Sequence, residues 1–400
     1  MPSPDTLVTG QCGYRHHADE RELREVGTVH RAKVPDGPTV YVVTTGLKQA
    51  KRLLADPRLS KDSGRLTEVI TRQLAAAGTP RELSGMFSET MMNADPPQHT
   101  RLRNLVVKSF NADGVNRLRP RAEQLTAELL DTLPTGVPID LISRFAFILP
   151  ITIVCEMLGV PEQDRGMLHT WTSALVLDDP ALTGPASIEM TRYLEQLADS
   201  KRATPDDGLC SMLVHASVDD DKLSRDELIA MLFLLVVGGH ETTAGLIGNA
   251  MYALLADPPQ WRRLVEDPAL VPAAVEETLR FDPPTRNATH RVTLQDIEVD
   301  GTPIAAGEIV LVSLSAAGHD PDTTDRADEF DLGRSAPIQH VGFGHGIHNC
   351  PGSQLARMQA EVALAQLAAR FPHSVLVERE PPRLASSIVG GVAELRLVLS

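Results

Sequence analysis

A ten-residue loop that contains one cysteine, residues 343–352, constrains the fold of this chain more than any other stretch. The loop precedes a helical pattern over residues 353–370, so Cys350 lies close to the start of a helix. The positive end of the helix dipole favours a thiolate there. Glycine lets such a loop turn tightly and approach a flat, bulky group; the loop glycines are Gly344, Gly346 and Gly352. The loop therefore predicts a cysteine thiolate turned toward a bound electrophile.

Cys350 has three interpretations on the residues alone. A lone cysteine is often an inert, buried side chain. Zinc bound by His345, His348 and Cys350 is the second, although structural zinc takes four ligands in paired spacings, and no second pair is near in the sequence. Iron is the third, and a single thiolate in a glycine-rich loop favours it.

The composition narrows the class of protein. The chain has 400 residues, 42% of them hydrophobic and 23% charged, which is typical of a globular protein. A formal net charge of -15 argues against nucleic acid or an anionic membrane as a partner. The cysteines have no compact disulfide spacing, which favours a reducing cytoplasm; they are Cys12, Cys155, Cys210 and Cys350.

No stretch of the sequence predicts a membrane anchor. Residues 1–20 lack the apolar core of a signal peptide. The most apolar run, residues 228–239, is too short to cross a bilayer and is followed by polar residues. We therefore expect a protein that does not enter the membrane.

Helical patterns dominate the chain. A capping box at Ser224 and Glu227 opens a long apolar helix that ends near Ala256. Residues 26–34 and 39–45 predict a hairpin. Further segments are helices at 46–54 and 267–281 and strands at 290–299, 308–314 and 394–399, with a turn at Asp300 and Gly301. We expect one large domain, residues 1–400, that is mainly α with a minor β region.

A polar stretch, residues 238–243, interrupts the long apolar helix. It reads Gly-Gly-His-Glu-Thr-Thr. Two glycines weaken a helix, by about 1 kcal/mol each, unless another helix packs closely against them. An acid and two hydroxyls in an apolar helix are costly unless they are satisfied or used. The stretch therefore predicts either close packing beside a solvated Glu241 or a functional site.

Two charged pairs lie on single faces of predicted helices. His99 and Arg103 are one turn apart, which suits a carboxylate ligand, whereas the spacing of Arg101 directs it elsewhere. Glu277 and Arg280 are three residues apart. Such a pair is common on solvated helices and is by itself a weak indication of function.

These motifs together resemble the cytochrome P450 superfamily. The arrangement Phe-x-x-Gly-x-His-x-Cys-x-Gly over residues 343–352 is similar to its haem-ligating loop. Residues 238–243 look like its oxygen-binding helix in the acid-threonine form. Glu277 and Arg280, with Phe-Asp-Leu-Gly-Arg at 330–334, are similar to its Glu-Arg-Arg network. The resemblance spans residues 95–357 and implies the soluble bacterial type, with a single-domain fold shaped as a triangular helical prism.

The resemblance also implies a role for each matching residue. Cys350 would be the axial ligand of the haem iron, Thr242 would hydrogen-bond the oxygen substrate, and Glu241 would relay protons. The two propionates of haem b need cations; the implied partners are His99, Arg103, Arg291 and His348. Further cofactor contacts are implied at Phe343, Gly344, Gly352 and Gly238. The network that supports the cysteine loop would be Glu277, Arg280 and Arg334.

The implied activity is monooxygenation, with O2, of an apolar small molecule, and specifically a hydroxylation in secondary metabolism. No flavin or nicotinamide fingerprint is visible in the sequence, so electrons from NAD(P)H are expected only indirectly, through ferredoxin reductase and ferredoxin. The ferredoxin would dock near the cysteine loop on a basic face that includes Arg357 and Arg103. We expect a cytoplasmic monomer.

Two alternative functions stay open on the sequence. One is an oxidase or cyclase on the same scaffold that forms C–C, C–N or C–O bonds without net oxygen insertion. The other is a haem-binding sensor or carrier, which has no need of the Glu241–Thr242 pair. The family layout places the substrate pocket at Met86, Met91, Met92, Leu175, Val237, Ala288, Ile388 and Val389, which does not choose among terpenoids, steroids and macrolides.

Pro351 departs from the family pattern. Relatives usually carry an apolar residue with a backbone N–H at this position, and proline cannot donate a hydrogen bond. We expect the Cys350 sulfur to have one donor fewer, to be more electron-rich, and to make the iron harder to reduce.

Overall fold

The computed structural model describes residues 3–9, 16–35, 37–79, 90–110, 112–176, 180–215, 217–218, 221–334, 337–384 and 386–400. Within these residues helices dominate, as predicted. The α-helices are α1 Thr6–Thr9, α2 His16–Val26, α3 Leu47–Leu54, α4 Ser63–Ala76, α5 Gln98–Val106, α6 Ala112–Asp131, α7 Ile148–Leu158, α8 Arg165–Val176, α9 Pro180–Ala203, α10 Leu209–His215, α11 Arg225–Ala256, α12 Pro258–Glu266, α13 Val271–Phe281, α14 Leu314–Gly318 and α15 Ser353–Arg370.

Short strands form the minor β region. They are β1 Val29–Lys33, β2 Thr39–Val43, β3 Leu59–Ser60, β4 Pro138–Asp140, β5 Ser217–Val218, β6 Asp221–Lys222, β7 Arg291–Thr293, β8 Ile297–Val299, β9 Thr302–Ile304, β10 Ile309–Val312, β11 Val375–Leu376 and β12 Arg396–Val398. The predicted hairpin is β1 paired antiparallel with β2, with Val29 opposite Val43. Both predicted terminal elements, the helix α15 and the last strand β12, are also confirmed.

The largest sheet has five strands in the order β1-β2-β10-β7-β3. Strand β10 lies parallel to β2 and antiparallel to β7. Successive side chains of a strand face opposite sides of the sheet. Accordingly Val42 packs in one hydrophobic cluster and Val43 in another, so both faces are covered. The sheet carries Arg291 in β7 and places it inside the protein.

The turn at Asp300 and Gly301 connects a different pair of strands from the predicted pair, 290–299 and 308–314. It joins β8 to β9 in a separate hairpin, whereas residues 309–312 pair in the large sheet. Both turn residues have positive φ, 48° and 81°, which suits a two-residue hairpin connection. The predicted strand 290–299 is interrupted because the chain leaves the large sheet after Thr293 and begins the second hairpin at Ile297.

The long helix α11 organises the helical part of the protein. Its capping box is present, since the Ser224 side chain accepts from the Glu227 N–H and the Glu227 side chain accepts from the Ser224 N–H. The helix packs against α7, α9, α13 and α15 in the largest hydrophobic core. Among the described residues it is the one helix long and apolar enough to span a bilayer, and 61% of its most apolar window is buried. That burial is typical of a core helix.

Candidate active site

The cysteine loop is held by its own backbone. The Cys350 N–H donates to the Phe343 carbonyl at 2.9 Å, and the Gly344 N–H donates to the Val341 carbonyl at 2.7 Å. Gly344 and Gly346 have φ of 73° and 75°, a region that favours glycine. Gly352 has a φ of -83°, which other residues also adopt, and its backbone N–H acts to lower the pKa of the Cys350 thiol.

Cys350 is half-buried and lies three residues before the start of α15. Burial raises the pKa of this thiol, and the Gly352 N–H, Arg103 and Arg357 only partly oppose the effect. A bound cation is what would make the thiolate the stable form. In the described part of the chain no three His, Cys, Asp or Glu side chains are grouped to hold a metal ion. This geometry contradicts the zinc interpretation of His345, His348 and Cys350.

Basic side chains converge beside the cysteine loop, two of them arginines and two of them histidines whose pKa values are lowered by burial. His99 and Arg103 come from α5, Arg291 from β7, and His348 from the loop itself, and His348 interacts electrostatically with all three. The His99 and His348 rings are 4.3 Å apart. The structure adds a fifth member, Lys61, which the sequence analysis missed.

This cation cluster fits an acidic ligand. His99 is buried, and among the described residues neither of its ring nitrogens has a partner with hydrogen-bond geometry, although the Ile347 backbone acts to raise its pKa. Burial, with a contribution from Arg103, lowers the pKa of His99. Burial also lowers the pKa of Arg291 to about 10, with only Asp95 opposing it. Buried cations of this kind are stable only when an anion is paired with them. The residues present therefore fit the two propionates of a haem.

Residues 238–243 leave open space beside one face of α11, because Gly238 has no side chain. Gly238 is exposed, and a Cβ there would meet only the Leu234 side chain, at 3.8 Å. Thr242, one turn later, is half-buried and donates to the Gly238 carbonyl at 3.1 Å. A Cβ at Gly239 would instead lie 3.0 Å from Val154 of α7. Close helix packing thus explains Gly239, whereas Gly238 lines open space beside Thr242.

Glu241 has a histidine neighbour that the sequence analysis did not use. Glu241 is 8% exposed, and the fully buried His240 places its Nε2 3.6 Å from Glu241 Oε1. His240 Nδ1 is hydrogen-bonded to the Val236 carbonyl, while Nε2 has no hydrogen-bond partner within the described part of the chain. Phe147 contacts both His240 and His169, and burial and then His240 lower the pKa of His169. The only indication of this contact in the sequence is that His240 directly precedes Glu241.

Glu277, Arg280 and Arg334 meet in one buried network. Glu277 accepts from Arg280 Nε and Nη2, both at 2.8 Å, and from Arg334 Nε at 2.7 Å. Arg280 also donates to the carbonyls of Gly318, Ala327 and Glu329. Glu277 and Arg280 are completely buried. The network ties α13 to the segment that leads into the cysteine loop.

Arg357 is already engaged by the protein. It donates to Glu276 at 2.5 Å and lies 4.6 Å above the Phe343 ring. Burial acts to raise the pKa of Glu276, but hydrogen bonds from His340 and Arg357 lower it to about 2. The charge of Arg357 is therefore matched by an acid, which weakens the expectation that it supplies a basic docking face. Arg103 is partly buried and interacts electrostatically with Cys350.

Arg101 behaves as its spacing predicted. It forms an ion pair with Glu227 of α11, away from the cation cluster.

A cleft of about 340 Å³ borders the cysteine loop near Phe343 and Arg357, whereas a larger cleft of about 460 Å³ lies apart from the loop, near Tyr252 and Asp331.

The predicted substrate-pocket residues differ in exposure. Met91, Leu175 and Ala288 are buried in hydrophobic clusters. The half-buried members are Met92, Val237, Ile388 and Val389, of which Val237 and Ile388 pack against hydrophobic clusters. Val389 pairs with Thr285 through an isolated bridge. Met86 lies outside the described residues.

Pro351 leads to a prediction about the iron. The Gly352 N–H is a backbone donor to the Cys350 sulfur, and Pro351 has no N–H to add. The Pro351→Leu variant should have a higher, less negative reduction potential, because a second donor withdraws electron density from the sulfur. A redox titration of the haem measures this. An unchanged or lower potential in the variant contradicts the hypothesis, and Pro259→Leu, at an exposed proline, is the control.

Comparisons with known proteins all point to one family. The family model described as Cytochrome P450 matches residues 186–394. Cytochrome P450 107B1 of Saccharopolyspora erythraea is 44% identical over 90% of this chain and 88% of its own. The vitamin D(3) 25-hydroxylase of Pseudonocardia autotrophica is 42% identical, over 92% and 90%.

A solved structure extends the similarity to the fold. The cytochrome P450 enzyme CxnD, for C–S bond formation in chuangxinmycin biosynthesis, superposes with a TM-score of 0.89 at 36% identity, over 99% of this chain and 97% of that one.

Proposed function

The chain belongs to the cytochrome P450 family, and from that premise we propose that it hydroxylates an apolar, medium-sized secondary metabolite. It has the single-domain fold of the family and is a haem-thiolate monooxygenase that binds haem b. Its electrons come from redox partners, and its substrates are small molecules. The observation that carries the hydroxylation proposal is the Glu241–Thr242 pair, placed at the open face of α11 beside Gly238.

Cys350 is proposed as the residue whose thiolate would bind the haem iron. When bound, haem supplies the iron centre at which O2 is reduced and activated. The Gly352 N–H holds the sulfur, and the hydrogen bond from Cys350 N–H to Phe343 fixes the loop. Arg103 and Arg291 supply positive charge for the propionates, and His99 and His348, whose pKa values are lowered by burial, supply ring N–H donors. Phe343, Gly344 and Gly238 are proposed to border the cofactor.

Thr242 and Glu241 are proposed to handle protons. The Thr242 hydroxyl proton is directed at the Gly238 carbonyl, so its oxygen lone pairs are free to accept a hydrogen bond in the open space. Glu241 Oε1 lies near His240 Nε2, so a proton at either atom has an adjacent acceptor. This arrangement supports oxygen chemistry over the alternative of a passive haem carrier, which needs no proton donor.

Substrate class follows from the half-buried apolar positions and from a relative. Met92, Val237, Ile388 and Val389 supply apolar surface without a fixed charge. A 42% identical relative is named for hydroxylation of vitamin D(3), a large apolar molecule. Together they support an apolar ligand of comparable size, such as a steroid, a terpenoid or a macrolide.

Oxidative bond formation is the second candidate function. It is supported by the similarity to an enzyme named for C–S bond formation, which shares the whole fold with this chain. The same scaffold would then remove electrons and protons from the substrate without inserting oxygen.

We further propose a monomer of one domain, residues 1–400, that works in the cytoplasm and receives electrons from ferredoxin and ferredoxin reductase. The relatives support the use of separate redox partners. Soluble bacterial relatives and the burial of α11 in the core support the location.

The experiment first screens a panel of apolar ligands for those that shift the haem spin state. The ligands selected are then incubated as substrates with the enzyme, ferredoxin, ferredoxin reductase and NADPH under isotopically labelled O2. The expected product carries one labelled oxygen atom. Thr242→Ala should lower the product formed per NADPH consumed by about tenfold or more, because proton delivery is lost. The matched control is Thr243→Ala, since Thr243 is a buried neighbour that donates to Gly239. A product without the label, formed at an undiminished rate, favours oxidative bond formation instead.

A further inference from the structure

Lys61 is buried in a way that lysine seldom is. It follows the short strand β3, and its side chain is 2% exposed, among the largest fully buried side chains of the protein. Lysine is almost never fully buried without a paired charge, because taking an ammonium out of water is costly. The position therefore calls for a partner.

The described residues do not supply that partner. The ammonium donates to the neutral Thr289 hydroxyl, and no ion pair joins it to a carboxylate in the described part of the chain. Asp95 is the acid that acts on it electrostatically, but no hydrogen bond or ion pair within the described residues joins its carboxylate to the ammonium. One Asp95 oxygen accepts from the Ser60 hydroxyl at 2.5 Å and the other from the Lys61 backbone N–H at 2.9 Å.

The other neighbours of Lys61 are basic groups: Arg291 is a cation, and His99 and His348 are histidines whose pKa values are lowered by burial. Burial, reinforced by Arg291, holds the pKa of Lys61 well below its usual value, and Asp95 opposes this only weakly. Lys61 in turn lowers the pKa of His99, after burial and Arg103. Lys61 thus belongs to the cation cluster beside the cysteine loop, in which neither ring nitrogen of His99 has a partner with hydrogen-bond geometry among the described residues.

We propose that Lys61 is a carboxylate-binding residue of the cofactor site and pairs with a haem propionate, in addition to the partners assigned from the sequence. The inference rests on the proposed haem site. It explains why the chain buries a cation among basic groups, since the bound carboxylate supplies the missing charge and Thr289 holds the ammonium in place.

The test compares wild-type holoprotein with Lys61→Met, which keeps the length of the side chain and removes the charge. Haem transfer to excess apomyoglobin should be at least about tenfold faster from the variant, because a charge-assisted hydrogen bond is lost. The haem-free variant should unfold at a higher temperature than the haem-free wild type, because an uncompensated buried ammonium is gone. Lys48→Met, at an exposed lysine of α3, is the matched control and should change neither quantity.

Reconstitution with the dimethyl ester of haem, which has no free propionate, isolates the pairing. The wild type and Lys61→Met should then release the esterified cofactor at similar rates. Equal acceleration with both cofactors, or none with haem, overturns the proposal and leaves Lys61 a structural residue. Failure of the haem-thiolate assignment is seen separately, as loss of the red-shifted carbon monoxide spectrum in the wild type.

Discussion

Cys350→Ser should lose the strongly red-shifted Soret band of the reduced, carbon monoxide-bound protein and should form no detectable product. The thiolate sulfur is the electron-rich ligand that shifts this band, and a serine hydroxyl stays protonated and cannot replace it. The loop should keep its shape, because the hydrogen bonds that hold it are made by backbone groups of Phe343, Gly344 and Cys350. The measurement is the difference spectrum of dithionite-reduced protein with and without carbon monoxide.

Cys210→Ser is the matched control for this substitution. Cys210 is a fully buried cysteine of α10, so its replacement tests the effect of losing a thiol elsewhere in the core. It should keep the red-shifted band. A wild-type band at the position typical of neutral-ligand haem proteins, or a band in Cys350→Ser that is unchanged, contradicts the assignment of Cys350 as the iron ligand.

Glu277→Gln should lower the free energy of unfolding by about 3–5 kcal/mol, because it leaves the guanidinium groups of Arg280 and Arg334 without their buried counter-charge. Glu277 is completely buried and accepts from both arginines and from the Asp331 N–H. Denaturant unfolding of the holoprotein and the variant measures the difference. The variant should also contain less haem with the thiolate signature, if the network supports the cysteine loop as proposed.

A surface pair with the same spacing provides the control for Glu277→Gln. Glu189 and Arg192 are also three residues apart on a helix, and Arg192 Nη1 lies 2.6 Å from Glu189 Oε1. Their side chains, however, are 49% and 57% exposed. Glu189→Gln should therefore cost only about 0–1 kcal/mol. Similar losses for the two substitutions would show that burial does not set the strength of the Glu277 network.

The cysteine loop, the long helix and the hairpin were predictable because each is encoded by residues close together in the sequence. The capping box of Ser224 and Glu227 and the turn between β1 and β2 act within a few residues. Helical spacing alone separated Arg101 from Arg103, and Arg101 does pair with Glu227 instead of joining the cation cluster. Helical spacing paired Glu277 with Arg280, whereas Arg334 could be added to the network only through the family resemblance.

The sequence by itself determined the mainly α class, the cysteine loop and the helix with Glu241 and Thr242, because spacing, capping and turn residues act locally. Only the tertiary structure decided that Lys61 joins Arg291 and Thr289, which is 228 positions away along the chain. It also decided that Gly239 packs on Val154 while Gly238 faces open space. Such contacts depend on how distant elements pack, and no local pattern carries that information.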